Sequence, residues 1–154
     1  MLRKSLQLPL AILCASLGAI AIANTATAQF KGNLIIDVDR LQDQKGSLCI
    51  KVFNGSQGFP NSNDKAVKRE CVKITNQPMR FVYRGLPAGN YAVAVFHDSN
   101  GNGNLDRNGA GMPTEGYGFS NNPVVKTSAP RYGQAVFLLA GANTRVAIQM
   151  KYGS

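Results

Sequence analysis

The sequence predicts an all-β fold, an antiparallel β-sandwich of about seven strands, interrupted by one long loop of calcium-binding pattern. Three observations lead there. Short runs with apolar residues at every second position recur along the chain. Clusters of Gly, Pro, Asn and Asp separate those runs. No stretch beyond the first thirty residues keeps the period of a long helix. A length of 154 residues allows one such domain and not two.

The opening residues differ in kind from the rest. Arg3 and Lys4 precede an uncharged apolar run from Leu6 to Ala23, and Ala26-Thr27-Ala28 supplies the small residues of a cleavage point before Gln29. This is the order of a secretory signal; an uncleaved anchor is the alternative, since the run nearly reaches spanning length. The expected organisation is a signal peptide at 1–28 and a single domain at 29–154, exported to the periplasm or secreted, with no membrane span after cleavage. Net charge is +9, and +7 once Arg3 and Lys4 are removed. The basic residues are scattered, so nucleic acid is not the expected partner; envelope polysaccharide, lipid head groups or another envelope protein fit better.

The strands follow in order. "NLIIDVDRL" places Leu34, Ile36 and Val38 on one face. "SLCIKVFN" does the same with Leu48, Ile50 and Val52, leaving Cys49 beside Ser47 and Lys51. "ECVKI" sets Val72 and Ile74 together, with Cys71 on the other side, and the preceding "DKAVKRE" is open to a helical turn. "MRFVYRGL" alternates Met79, Phe81 and Tyr83 with Arg80, Val82 and Arg84. "YAVAVFHD" is apolar on both faces, as a central strand is, and "QAVFLLA" is similar. "TRVAIQMKY" turns Val146, Ile148 and Met150 inward.

With Cys14 in the signal, Cys49 and Cys71 are an even pair in an exported domain, which reads as a disulfide. Both lie on the more polar sides of their strands. A bridge would contribute about 3 kcal/mol by restricting the unfolded chain. A metal site is the weaker alternative, because no histidine accompanies the two thiols.

Two long loops remain, Asn54–Asp64 and Asp98 to about Arg131. In the second, "DSNGNGNLD" offers oxygens at alternate positions, as a hard cation needs. Asp98, Asn100 and Asn102 stand first, third and fifth, Gly103 takes the sharp turn, the Asn104 carbonyl comes seventh and Asp106 ninth. The twelfth position is Gly109 instead of the bidentate Glu, and a strand precedes the loop instead of a helix. Glu115, a backbone carbonyl or water is left to complete the set. The expected cofactor is Ca²⁺, held weakly, at roughly 10⁻⁴ to 10⁻³ M; an Asn/Asp/Gly turn that binds nothing is the alternative. His97 has no nucleophile motif beside it and reads as structural. Tyr117 and Phe119, with Asn121 and Asn122, either stack and hydrogen-bond a sugar or pack the loop onto the sandwich.

"GSLCIKVFNGSQGFP", "GLPAGNYAVAVFHDSNGNGNLDRNGAGMPTEGYGFSNN" and "AVFLLAG" together resemble the DUF2141 family of exported bacterial proteins, over about Leu34 to Met150. Phe81, Leu86, Pro87, Gly89 and Tyr91 also resemble an element of prealbumin-like and carboxypeptidase-regulatory-like sandwich modules. The resemblance implies a sandwich and export, and implies no substrate. The functional expectation is a non-enzymatic binding or adaptor module of the cell envelope. The alternatives are a carbohydrate-binding module using Tyr117 and Phe119, or a small hydrolase using His97 with Asp98 or Glu115.

Overall fold

The computed structural model describes residues 29–126 and 128–153; the signal segment expected at 1–28 lies outside the described residues. The elements are β1 (Lys31–Asp39), β2 (Ser47–Phe53), β3 (Lys68–Lys73), β4 (Met79–Pro87), β5 (Gly89–Asp98), β6 (Tyr117–Phe119), α1 (Tyr132–Ala135), β7 (Phe137–Leu139) and β8 (Asn143–Gln149). They form a two-layered sandwich. One sheet runs β4-β1-β8; the other runs β3-β2-β5-β6, with β7 also on β5. No described helix is long and apolar enough to cross a membrane.

The alternating strands supply the inner faces. Leu34, Ile36 and Val38 of β1 are wholly buried, and with Phe81 of β4 and Ile148 of β8 they meet Leu48, Ile50 and Val52 of β2 and Val93 and Val95 of β5. Burying each such side chain contributes about 1.5–3 kcal/mol relative to exposure. β3 is exposed along its whole length. Its Lys, Arg and Glu side chains suit an edge strand, because charge there discourages pairing with another chain.

Four details depart from the pattern read in the sequence. "KRE" is the start of β3 and not a helical turn. "QAVFLLA" divides into the single turn α1 and the short β7. A strand, β6, lies inside the long loop. Finally, β1 and β8 pair in parallel, while every other strand pair is antiparallel. The physical reason is connectivity: β8 returns from β7 in the other sheet, and such a crossover can bring first and last strands side by side in one direction.

β6 can sit where it does because of a glycine. A Cβ on Gly118 would lie 2.8 Å from a methyl of Ile148 and 3.0 Å from one of Val95. Tyr117 and Lys151 exchange backbone hydrogen bonds of 2.9 and 2.8 Å, and the Met150 N–H donates to the Asp39 carbonyl at 2.9 Å. The end of β8 thus ties the two sheets together at one corner.

β5 is buried on both faces. Its outward residues Ala92 and Ala94 belong to a second apolar cluster with Phe53, Phe119 and Ala135. Phe59, from the Asn54–Asp64 loop, packs edge-on to Phe53 (centroids 5.3 Å apart) and to Tyr132 (5.8 Å). The outer side of this sheet is therefore roofed by its loops.

Candidate functional site

Asp98 ends β5 with its side chain buried and directed into the loop that follows. Its Oδ1 accepts from the N–H groups of Gly101 (2.8 Å) and Asn102 (3.0 Å), and its Oδ2 from Gly103 (2.8 Å). Gly101 and Gly103 hold positive φ, 76° and 75°, which a side chain would strain. Asn100 Oδ1 accepts from the Asn102 N–H (3.1 Å), and Asn102 Oδ1 from the Asn104 N–H (2.8 Å). The loop thus winds around side-chain oxygens at alternate positions. Asp106 closes it, accepting from the amides of Asn100 (2.6 Å) and Asn102 (2.9 Å).

Glu115 has a distinct place. It is 7% exposed. Its Oε1 accepts from the Ser99 N–H (2.8 Å) and hydroxyl (2.7 Å), and its Oε2 from the Asp106 N–H (3.1 Å). One carboxylate therefore clamps the two ends of the loop. Among the described residues no three His, Cys, Asp or Glu side chains gather as a metal-holding group. A cation here would draw on Asp98 and Asp106 plus amide and backbone oxygens, which is the hard-oxygen set calcium takes. The chemistry of the donors fits at Asp98 Oδ2, both Asp106 oxygens and the Asn100 and Asn102 amide oxygens, each of which accepts one hydrogen bond and keeps a lone pair, whereas Asp98 Oδ1 already accepts two.

The loop rests on a disulfide. Cys49 and Cys71 are directly opposed on β2 and β3, bonded, with Cα atoms 4.0 Å apart. This is closer than the 4.4–6.8 Å expected of most disulfides and nearer the roughly 4.5 Å of a narrow antiparallel pair. Cys71 is exposed, as its polar face suggests, whereas Cys49 is 2% exposed. Its Sγ lies 4.0 Å from Asp98 Oδ2.

His97 points the other way. Consecutive strand residues face opposite sides, so His97 looks toward the interior and Asp98 outward. Nε2 lies 2.7 Å from the Lys45 carbonyl, to which it donates, which leaves Nδ1 to accept from the Tyr152 hydroxyl at 2.9 Å. Tyr152 OH in turn accepts from the Gln42 N–H at 3.0 Å. Burial raises the Tyr152 pKa, the Gln42 hydrogen bond lowers it and nearby Asp43 raises it.

Phe119 is 7% exposed and packs against Phe59 and Tyr117, while Tyr117 is half-buried. Asn121 donates to the Val136 carbonyl (2.7 Å), and Asn122 to that of Ala147 (3.0 Å). These amides fasten the backbone. Tyr117 and Phe119 instead line a cleft of about 230 Å³ whose other walls include Lys51, Asn61, Phe96 and Arg107. Lys51 and Phe96 also line a second cleft, of about 350 Å³, with Arg69 and the disulfide. Lys51 donates to the Asn61 carbonyl (2.8 Å) and lies 5.7 Å over the Phe96 ring. Its pKa is lowered, first by burial and then by Arg69.

The fold and site define a β-sandwich with one face roofed by loops, a class of scaffold on which binding residues ride on loops held by a rigid body. Residues 36–147 match the family described as "Uncharacterized protein conserved in bacteria (DUF2141)", and the chain belongs to it. No curated protein matches. No solved structure matches either.

Proposed function

We propose that this protein is an exported, non-enzymatic binding or adaptor module of the bacterial cell envelope, whose long loop is organised by a weakly held calcium ion. The observation that carries the reading is the winding of residues 98–106 around the oxygens of Asp98, Asn100 and Asn102, closed by Asp106. Asp98, Asp106, the Asn100 and Asn102 amide oxygens and the Asn104 carbonyl would hold the ion, with Glu115 clamping the loop or giving a further oxygen. Bound calcium would supply charge neutralisation between two carboxylates and no reaction chemistry. The non-enzymatic reading is supported by His97, whose two ring nitrogens are committed to Lys45 and Tyr152 and face away from Asp98. Export rests on the sequence of residues 1–28 and on the disulfide, a bond of oxidising compartments.

Thermal melting in chelator, in calcium and in magnesium tests this. Millimolar calcium against a site of roughly 10⁻⁴ to 10⁻³ M should add about 0.4–1.4 kcal/mol, and magnesium less, because it demands a tighter octahedron. Identical melts in chelator and in tens of millimolar calcium would reduce the loop to a turn.

A further inference from the structure

The outer face of the five-stranded sheet carries two rows of side chains fixed by register. One row is Arg69, Lys51, Ala94 and Phe119; the next is Cys71, Cys49, Phe96 and Tyr117. The two clefts described above share Lys51 and Phe96, so they form one trough across the sheet. The Asn54–Asp64 loop walls one side with Asn61 and Asn63, and the 98–113 loop walls the other with Asn104 and Arg107.

The charges in this trough are placed at a cost. Lys51 and Arg69 are direct cross-strand partners. Like charges so opposed destabilise a sheet, and Lys51 is in addition partly desolvated against Phe96. Among the described residues neither has a carboxylate within ion-pair distance, whereas Arg80 and Arg145 on the other sheet share Asp37. Two cations side by side on the floor of an open trough, neither joined to a carboxylate and one held only by the Asn61 carbonyl and the Phe96 ring, make a site prepared for an anion.

We infer that this trough binds an acidic oligosaccharide, with a sugar carboxylate held between Lys51 and Arg69 and a neighbouring ring against Tyr117. The sugar assignment follows from where the trough lies. It crosses the face of a sheet, so the backbone groups beneath are paired in the ladders and offer little to a peptide strand. Asn61 and Asn63 offer amides to hydroxyls, and the half-buried Tyr117 ring offers an apolar surface to a pyranose. The inference rests on the binding-module reading; the groups that would hold the ligand, Lys51, Arg69 and Tyr117, lie on strands and not on the calcium loop.

The test is calorimetric titration of the purified protein with an oligogalacturonate, its carboxyl-reduced neutral counterpart, a sulfated oligosaccharide and oligoglutamate. The oligogalacturonate should bind, more weakly as salt rises, and the neutral counterpart should not. Arg69→Gln, at an exposed position, and Lys51→Met should each weaken binding about tenfold, the worth of one charge-assisted hydrogen bond. Arg84→Gln, an equal charge change on the other sheet, should leave it unaltered. Three results would each overturn the assignment: equal loss in Arg84→Gln, oligoglutamate or the sulfated sugar binding as tightly as the oligogalacturonate, or no binding at all. A null calorimetric result beside a calcium-dependent melt would leave the calcium loop standing; the reverse would leave the trough standing.

Discussion

On the outside of the β4-β1-β8 sheet the residues between core positions meet water: Val82 is 43% exposed, and Asp37 lies between the guanidinium groups of Arg80 and Arg145. On the outside of the other sheet the equivalent positions hold Phe53, Ala92, Ala94 and Phe119, and two long loops cover them. The first face needs nothing above it. The second has its own small core, a disulfide and a buried carboxylate clamp, all devoted to holding loops in place. Such packing away from the main core is what a scaffold for loop-borne binding requires, and it is why both proposed sites are placed on the covered face.

The sharpest way to break this comparison is to remove the second core. Phe53→Ala, at a wholly buried ring, should cost about 3–5 kcal/mol, against about 0.5 kcal/mol or less for Val82→Ala on the open face. Urea unfolding of both measures it; equal small losses would mean that the roof is not packed. Next in size is the disulfide. Replacing Cys49 and Cys71 together by Ala opens a loop with a sequence separation of 22 and should cost about 3 kcal/mol. A double variant as stable as its parent would show that the bond does not constrain the unfolded chain. Smaller still, Asp98→Ala should remove the calcium-dependent part of the melt, about 1 kcal/mol. A calcium shift that survives in this variant would place the ion elsewhere.

The two faces were not equally legible in the sequence. Alternation in β1, β4 and β8 gave core and solvent sides directly, because a two-residue period has one meaning when one face is wet. The apolar run "YAVAVF" announced a strand covered twice, yet it did not say by what. Phe59 and Tyr132 come from segments with no period of their own. β6 carries no periodic signal because three residues are too few for alternation, although Gly118 between two aromatics marks a place of close approach. Alternation puts Cys49 on the polar face of β2, yet it is buried, since the following loops cover that side. Proximity in sequence groups Asn121 with the ring-bearing residues, while its positive φ of 62° turns it to serve the backbone instead. The trough itself could have been partly read. Once Cys49 is set opposite Cys71, antiparallel register puts Lys51 opposite Arg69, and that clash of charges was visible in the residues alone.

The open face yields the smallest effect and the one whose sign is most instructive. Asp37 has its pKa lowered, first by the Arg80 hydrogen bond, against some desolvation, with the charges of Arg80 and Arg145 and the Arg145 hydrogen bond adding to the lowering. Arg80 Nε donates to Asp37 Oδ1 at 2.6 Å and Arg145 Nη1 to Oδ2 at 3.2 Å. Both guanidinium groups are more than half exposed, so water screens the pairs and Asp37→Asn should cost about 0–1 kcal/mol at neutral pH. A folded pKa below the unfolded value of about 3.9 means that this contribution is complete above that value. It is lost as pH falls through the lower folded pKa. The stability difference between the parent and Asp37→Asn should therefore be constant from neutral pH down to about 5 and shrink only in stronger acid. It should also shrink in about 1 M salt, where screening acts within about 3 Å. A difference that grew on acidification, or that ignored salt, would show that Asp37 acts through packing and not through charge, and the two faces would then be less unlike than their residues suggest.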